Sequence, residues 1–289
     1  MLSVKKIAFI GIGVMGNSIV RHLLKADFRV KLYTRTKSKA ITLIEEGAIW
    51  AETASKATSG ADLIFTMVGA PSDVEEIYFG PNGIFDGSQE GQIFVDMTTS
   101  SPALAKLIAE EASSRRMMSI DAPVSGGDIG AKKGTLSIMC GGDEEVFAKI
   151  LPVLSVFGDN IVYQGTAGAG QHAKMCNQIA IAPNMIGICE AIAYAEKSGL
   201  NPDTVLASIT SGAAGSWSLS NLAPRILKGD FEPGFYVRHF LKDMDIALKE
   251  AEGMQLDLPG LKLARSMYYD LIERGFGENG TQVLYKSYI

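Results

Sequence analysis

Close to the N-terminus, residues 6–16 have the sequence KIAFIGIGVMG. The first part, Lys6–Ile10, is a nearly continuous apolar run, which is typical of a strand buried on both faces of a parallel sheet. The segment that follows the glycines, Asn17–Ala26, places four aliphatic residues at the spacing of one helix face. The order of strand, glycine turn and helix predicts the opening βα unit of an α/β domain.

The glycines of this turn follow the pattern G-x-G-x-x-G, and the strand and helix around them give that pattern its meaning. Gly11 permits the tight turn, Gly13 allows a pyrophosphate to approach the backbone, and Gly16 allows the helix to pack closely on the strand. The start of the helix offers unpaired N–H groups to the phosphates. We therefore predict a dinucleotide site with contacts at Gly11, Ile12, Gly13, Val14, Met15 and Gly16.

The end of the second predicted strand indicates which dinucleotide is bound. Residues 33–37 have the sequence YTRTK, without the carboxylate that an NAD site uses there to hold the ribose hydroxyls. Arg35 offers a planar guanidinium to a 2′-phosphate, and Thr36 offers a hydroxyl donor. The sequence therefore favours NADP as cofactor over NAD, with NAD still possible.

Strand-like and helix-like segments alternate over the first half of the chain, and helix-like segments follow to the end. The predicted strands are Lys6–Ile10, Arg29–Tyr33, Leu63–Val68, Ile93–Asp96, Met118–Ala122, Leu136–Cys140 and Ile161–Tyr163. The predicted later helices are Ala169–Ser198, Asn201–Thr210, Leu219–Lys228, Val237–Met254 and Leu258–Arg274. This pattern predicts a mainly parallel Rossmann domain over residues 1–165 and an all-α domain over residues 166–289. The first of the later helices joins them, and we expect Pro183 to kink it.

Composition excludes several classes of protein. The 289 residues include 27 Lys and Arg against 32 Asp and Glu, so the net charge of −5 argues against a nucleic-acid partner. Three cysteines without a C-x-x-C pair indicate a reducing compartment rather than a disulfide framework. We recognise no membrane segment and no metal-ligand spacing among the three histidines, and we expect a cytoplasmic protein.

Three further motifs follow the glycine turn. The first is Asp121-Ala122-Pro123-Val124-Ser125-Gly126-Gly127, and the second runs from Gly165 through Gly168 and Gly170 to Lys174 and Asn177. The third begins at Phe231-x-Pro233-Gly234-Phe235 and ends at Lys242-Asp243. In this order the motifs resemble those of the β-hydroxyacid dehydrogenase family, which includes 3-hydroxyisobutyrate dehydrogenases, tartronate semialdehyde reductases and glyoxylate/succinic semialdehyde reductases. The resemblance covers essentially the whole chain.

The resemblance implies hydride transfer between a nicotinamide cofactor and a small semialdehyde, glyoxylate or the corresponding hydroxy acid. It implies that Lys174 is the catalytic residue, and that the helical domain serves substrate binding and assembly into a homodimer or homotetramer. The implied substrate contacts are Ser125, Gly126, Gly127, Asn177, Phe235 and Asp243. Further cofactor contacts are assigned to Met67, Val68, Thr99 and Lys242. The family often has Asn-Asn where this chain has Asn177-Gln178.

Elementary chemistry agrees with these roles. Reduction of an aldehyde places negative charge on its oxygen, and a positioned acid such as Lys174 would protonate it. Lys174 and Asn177 are three residues apart and share a helix face. Ser125, Gly126 and Gly127 combine a hydroxyl with backbone N–H groups suited to a carboxylate. Two alternatives stay open: an imine reductase, in which this lysine is usually absent, and a non-catalytic dinucleotide-binding sensor.

Overall fold

The computed structural model describes residues 4–289 and divides the chain into two compact units. The first unit ends at Lys174 and the second begins at Met175. The sequence places the domain boundary at Gly165 instead. The first turn of the helix that starts at Ala169 hydrogen-bonds to the sheet, so this turn groups with the first unit.

The first unit is built on one nine-stranded sheet. Its strands are β1 (Lys6–Ile10), β2 (Arg29–Tyr33), β3 (Ile49–Trp50), β4 (Leu63–Thr66), β5 (Ile93–Asp96), β6 (Met118–Asp121), β7 (Val124–Ser125), β8 (Leu136–Gly142) and β9 (Gly158–Gly165). They lie in the order β3-β2-β1-β4-β5-β6-β8-β7, with β9 also paired to β8. The pairs are parallel except for β6–β8 and β7–β8, which are antiparallel. The predicted Rossmann sheet is confirmed, with a mixed edge.

Helices connect these strands. They are α1 (Val14–Lys25), α2 (Ile41–Glu45), α3 (Ala54–Thr58), α4 (Pro71–Phe79), α5 (Ile84–Gly87), α6 (Pro102–Ser114), α7 (Gly127–Lys133) and α8 (Glu144–Leu154). A short 3-10 helix, Lys37–Ala40, precedes α2. Apolar residues of β1, β4 and β5 are almost fully buried, as expected of central parallel strands. Because these strands are parallel, the loops that follow their carboxyl ends all lie along one edge of the sheet.

The second unit consists of helices. They are α9 (Ala169–Lys197), which begins in the first unit, α10 (Pro202–Ile209), α11 (Trp217–Asn221), α12 (Ala223–Leu227), α13 (Val237–Gly253) and α14 (Pro259–Glu273). A 3-10 segment, Thr281–Ser287, follows and is mostly buried. The helix predicted over Leu219–Lys228 is in fact two, because Pro224 stands in the first turn of α12 and lacks the N–H that would continue α11.

Helix α9 is the longest element, with 29 residues and a length of about 44 Å. Its helical hydrogen bonding continues past Pro183. By length and composition alone α9 could cross a membrane, a test that core helices of globular proteins also pass. Several of its residues, among them Met185 and Ile192, pack in the core of the second unit with Phe240 and Tyr268.

Candidate active site

Two glycines of the turn after β1 are required by the fold itself. Gly11 has φ +102°, and a Cβ there would lie 2.1 Å from the carbonyl oxygen of Met67. A Cβ on Gly16 would lie 2.3 Å from the carbonyl oxygen of Gly11. Both approaches are far shorter than any van der Waals contact, so only glycine fits either position. This packing brings Gly11 beside Met67 at the end of β4.

Gly13 differs, because no packing in the folded chain requires it. A Cβ on Gly13 would meet nothing within 4 Å, and its φ of −88° suits any residue. Gly13 is the N-cap of α1, where no side chain accepts a hydrogen bond from the first turn. The exposed N–H groups at this helix start suit a pyrophosphate. The absence of a side chain therefore fits a dinucleotide approaching the backbone.

We expect Gly13→Ala to separate cofactor binding from folding. The methyl group enters open space in the protein, so the free energy of unfolding should change by no more than about 1 kcal/mol. The same methyl group obstructs the pyrophosphate and should raise the Kd for the dinucleotide roughly tenfold or more, a cost of only about 1.4 kcal/mol. Fluorescence titration and urea denaturation measure the two quantities. Gly187→Ala, at an exposed position inside α9, is the control: it should leave the Kd unchanged and raise the free energy of unfolding by up to about 1 kcal/mol, because alanine is the better helix former.

Arg35 and Thr36 follow β2 after one intervening residue, and both are exposed. The Arg35 guanidinium is 3.1 Å from the carboxylate of Asp73, in the first turn of α4. The Arg35 side chain is 72% exposed, so solvent weakens this ion pair and the guanidinium can turn to another anion. Sequence reasoning missed Asp73, because its pairing with Arg35 depends on the fold.

Beside the glycine turn, a hydrogen bond joins the loop after β4 to the loop after β5. The Thr98 hydroxyl accepts a hydrogen bond from the N–H of Val68 at 3.0 Å, and the Thr98 N–H donates to Asp96. Asp96 is buried and also accepts from the Thr66 hydroxyl, and burial raises its pKa to about 6. Met67, Val68 and Thr99 are half-buried along this edge. Their assignment as cofactor contacts stays a prediction.

Lys174 is buried in the first unit, with 7% of its surface exposed. Its Nζ donates a hydrogen bond to the carbonyl oxygen of Val124 at 2.9 Å. Val124 immediately precedes the Ser125-Gly126-Gly127 segment. The structure thus brings the predicted catalytic lysine to the predicted carboxylate-binding loop.

Asp121, at the end of β6, holds the start of α9 in place. Its two carboxylate oxygens accept hydrogen bonds from the N–H groups of Gly168 at 2.7 Å and Gln171 at 2.8 Å. Burial raises the pKa of Asp121 to about 6, and these N–H donors limit the rise. The Gln171 side chain adds bonds to the Ser100 N–H and the Thr98 carbonyl. Sequence reasoning assigned no role to Asp121 or Gln171, although Asp121 is a carboxylate within a predicted strand.

The loop that carries Ser125 has an unusual backbone. Gly126 and Gly127 both have positive φ, +125° and +60°, which strongly favours glycine. Ser125 ends β7, pairs with Ser137 of β8 and is half-buried. Helix α7 begins at Gly127, so its first N–H groups lie next to the Ser125 hydroxyl in the chain. Such consecutive N–H groups form a concavity suited to an anion.

In the second unit, Asn177 is half-buried, and its side chain contacts that of Gln178. Asp243 was predicted as a substrate contact, yet it is only 1% exposed and its carboxylate accepts a hydrogen bond from Gln178. Lys242 lies 3.0 Å from the same carboxylate. Phe235 packs its ring 5.4 Å from that of Phe240. These substrate and cofactor roles stay predictions.

Comparison with known proteins identifies the family. Residues 6–165 match the model described as the NAD-binding domain of 6-phosphogluconate dehydrogenase. Residues 168–288 match the model for the NAD-binding region of NADP-dependent 3-hydroxyisobutyrate dehydrogenase.

The alignments with similar proteins cover nearly the whole chain. An uncharacterized oxidoreductase of Bacillus subtilis, YkwC, is 59% identical over 99% of both chains. The 2-hydroxy-3-oxopropionate reductase of Escherichia coli is 38% identical over 91% of this chain and 90% of its own. A solved 3-hydroxyisobutyrate dehydrogenase of Mycobacterium tuberculosis, with L-serine, has a TM-score of 0.90 at 28% identity and covers 98% of this chain and 99% of its own. The chain belongs to the 3-hydroxyisobutyrate dehydrogenase family of NAD(P)-dependent oxidoreductases.

Proposed function

We propose that this oxidoreductase reduces a small semialdehyde or glyoxylate to the corresponding hydroxy acid with NADPH, and catalyses the reverse oxidation. One observation carries the proposal: the buried Lys174 ammonium donates to Val124, the residue before the Ser125-Gly126-Gly127 segment. The proposed proton donor therefore lies next to the N–H groups that we propose bind the carboxylate. The name of the Escherichia coli relative, 2-hydroxy-3-oxopropionate reductase, supports the same substrate class.

In the proposed reaction, each site residue would have one role. A nicotinamide cofactor held by the Gly11–Gly16 turn would supply a hydride to the carbonyl carbon. Ser125, Gly126 and Gly127 bind the substrate carboxylate, which orients the carbonyl. The Lys174 Nζ–H donates its proton to the carbonyl oxygen as negative charge develops there, and a hydroxyl forms. In the oxidative direction the neutral amine of Lys174 takes the proton back. Asn177, one helical turn beyond Lys174, contacts the substrate.

Cofactor preference provides a separate test. We expect Arg35→Ala to raise the Kd for NADPH about tenfold, the equivalent of one charge-assisted hydrogen bond, because the 2′-phosphate loses its guanidinium partner. The Kd for NADH should stay nearly unchanged, since NADH has no 2′-phosphate. Arg29→Ala, an exposed arginine at the other end of β2, is the matched control. An equal change in both Kd values would contradict the role of Arg35.

Two other functions make different demands on the same residues. An imine reductase would reduce a cyclic imine without needing a carboxylate-binding loop. A non-catalytic dinucleotide sensor would need no buried proton donor. The side-by-side placement of Lys174 and the Ser125 loop favours a carboxylate-bearing aldehyde over both.

The direct experiment follows NADPH oxidation at 340 nm with glyoxylate, succinic semialdehyde, 2-hydroxy-3-oxopropionate, methylmalonate semialdehyde and one cyclic imine. NADH is run alongside each. We expect turnover of at least one carboxylate-bearing aldehyde and none of the imine. Turnover of the imine alone would replace the proposal with imine reduction, and tight NADPH binding without any turnover would favour the sensor.

A further inference from the structure

An ion pair of the first unit joins two loops at the edge of the sheet that carries the glycine turn. Arg35 follows β2, and Asp73 lies in the first turn of α4, which follows β4. Strands β2 and β4 are the two neighbours of β1, so these loops lie on either side of the Gly11–Gly16 turn. The Arg35 Nη2 and the Asp73 Oδ1 are 3.1 Å apart. The ion pair therefore lies beside the predicted dinucleotide site.

The two partners of this ion pair differ in how firmly they are held. The Asp73 side chain is 23% exposed, whereas that of Arg35 is 72% exposed. The second carboxylate oxygen of Asp73 packs against Gly69, where an added Cβ would lie only 2.8 Å from it. The positive end of the helix dipole also favours a carboxylate in the first turn of α4. Arg35 is therefore the partner that can turn away, while the Asp73 carboxylate stays in place.

We propose that Asp73 is a specificity-determining residue for the cofactor, because its carboxylate competes with the 2′-phosphate of NADPH for the Arg35 guanidinium. A phosphate monoester carries a charge of about −1.5 to −2 at pH 7. Either Arg35 leaves Asp73 and the ion pair is lost, or Arg35 binds both anions and the phosphate and carboxylate repel each other. NADH has a hydroxyl in place of this phosphate and leaves the ion pair intact. Asp73 therefore weakens the binding of NADPH but not that of NADH.

The competition between Asp73 and the phosphate makes the chain less selective between the two dinucleotides. The inference rests on the proposed function, in which Arg35 binds the 2′-phosphate, and it adds the residue that opposes this binding. The end of β2 lacks the carboxylate of an NAD site, but the fold brings a carboxylate from α4 to the same arginine. Arg35 thus favours NADPH, and Asp73 reduces the size of that preference.

The variant Asp73→Asn removes the competing charge and keeps the size of the side chain. We expect the Kd for NADPH to fall about three- to fivefold, the upper range for an exposed ion pair, while the Kd for NADH stays within about 1.5-fold. Fluorescence titration with each dinucleotide at about 0.1 M salt measures both constants. The control is Glu75→Gln, which removes an exposed carboxylate of the same helix. Because salt screens this charge, neither Kd should change by more than about 1.5-fold.

A double-mutant cycle with Arg35→Ala tests the competition itself. Once Arg35 is absent, adding Asp73→Asn should change the Kd for NADPH by less than about 1.5-fold, because the phosphate and the carboxylate no longer share a partner. A full three- to fivefold effect in that background would overturn the inference.

The single variant Asp73→Asn can also contradict the inference. A higher Kd for NADPH would mean that Asp73 orients Arg35 toward the phosphate, and an unchanged Kd or an equal fall for both dinucleotides would mean that no competition exists. If Asp73→Asn fails to fold, as judged by urea denaturation, Asp73→Ser is titrated in the same way and should give the same fall. A Kd for NADPH that Arg35→Ala alone leaves unchanged would instead refute the proposed role of Arg35, so the two failures are distinguishable.

Discussion

Replacement of Lys174 by methionine is expected to lower kcat for aldehyde reduction by about 10²–10⁴-fold, the usual contribution of a positioned general acid. Methionine keeps the unbranched stem in its buried position but provides no proton. The Kd for NADPH should stay within about twofold, since the phosphate contacts are predicted at Gly11–Gly16 and Arg35. Stopped-flow or steady-state absorbance at 340 nm measures turnover, and fluorescence titration measures binding.

Two further variants sharpen this test. Lys197→Met removes an exposed lysine at the far end of the same helix and should leave kcat unchanged. Lys174→Arg keeps the positive charge, but a guanidinium does not release its proton near neutral pH and does not replace a compact ammonium. We therefore expect Lys174→Arg to be nearly as inactive as Lys174→Met. Wild-type kcat in either variant would remove Lys174 from the mechanism.

The second large effect concerns Asp121 and protein stability. Asp121→Ala leaves the buried N–H groups of Gly168 and Gln171 without their acceptor. Each unsatisfied group costs about 1–3 kcal/mol, so we expect the free energy of unfolding to fall by about 2–6 kcal/mol. Urea denaturation at pH 8 measures the loss, because the carboxylate, with a pKa of about 6, is ionised there.

The control for Asp121 is another aspartate that caps a helix of the same unit. Asp143 is exposed and accepts a single hydrogen bond, from the N–H of Val146, so Asp143→Ala should cost only about 1 kcal/mol. Asp121→Asn retains an acceptor for one of the two N–H groups and should fall between these values. If Asp121→Ala costs no more than Asp143→Ala, the start of α9 is held by something other than this carboxylate.

Sequence patterns predict the central part of the fold well. The bounds of β1, β2 and β5 agree with the predicted strands, because β1 and β5 are short apolar runs and β2 alternates apolar with polar residues. The short elements were missed for a physical reason. Two-residue strands such as β3 and β7 have no periodicity, and α7 contains two glycines, which are poor helix formers. Tertiary packing, not local propensity, forms them.

In the candidate site, too, the sequence predicts some residues and misses others. Gly11, Gly13 and Gly16 could be predicted because one local turn needs all three. Lys174 could be predicted only through the resemblance of its motif. The hydrogen bonds of Asp121 and Gln178 join residues 47 and 65 positions apart, so no local pattern indicates them. The sequence indicates which side chains could react. Which residues hydrogen-bond to those side chains depends on the fold.

The anchoring of Lys174 has an evolutionary consequence. Its hydrogen bond to Val124, and the bonds of Asp121 to the first turn of α9, all join residues of the first unit. Substitutions in the helices after Met175 therefore leave the residues of these hydrogen bonds unchanged. A lineage can vary the second unit while it inherits these hydrogen bonds intact. The segment 121–127 has no such freedom, because it contains both Val124, which accepts from Lys174, and Asp121, which holds the first turn of α9.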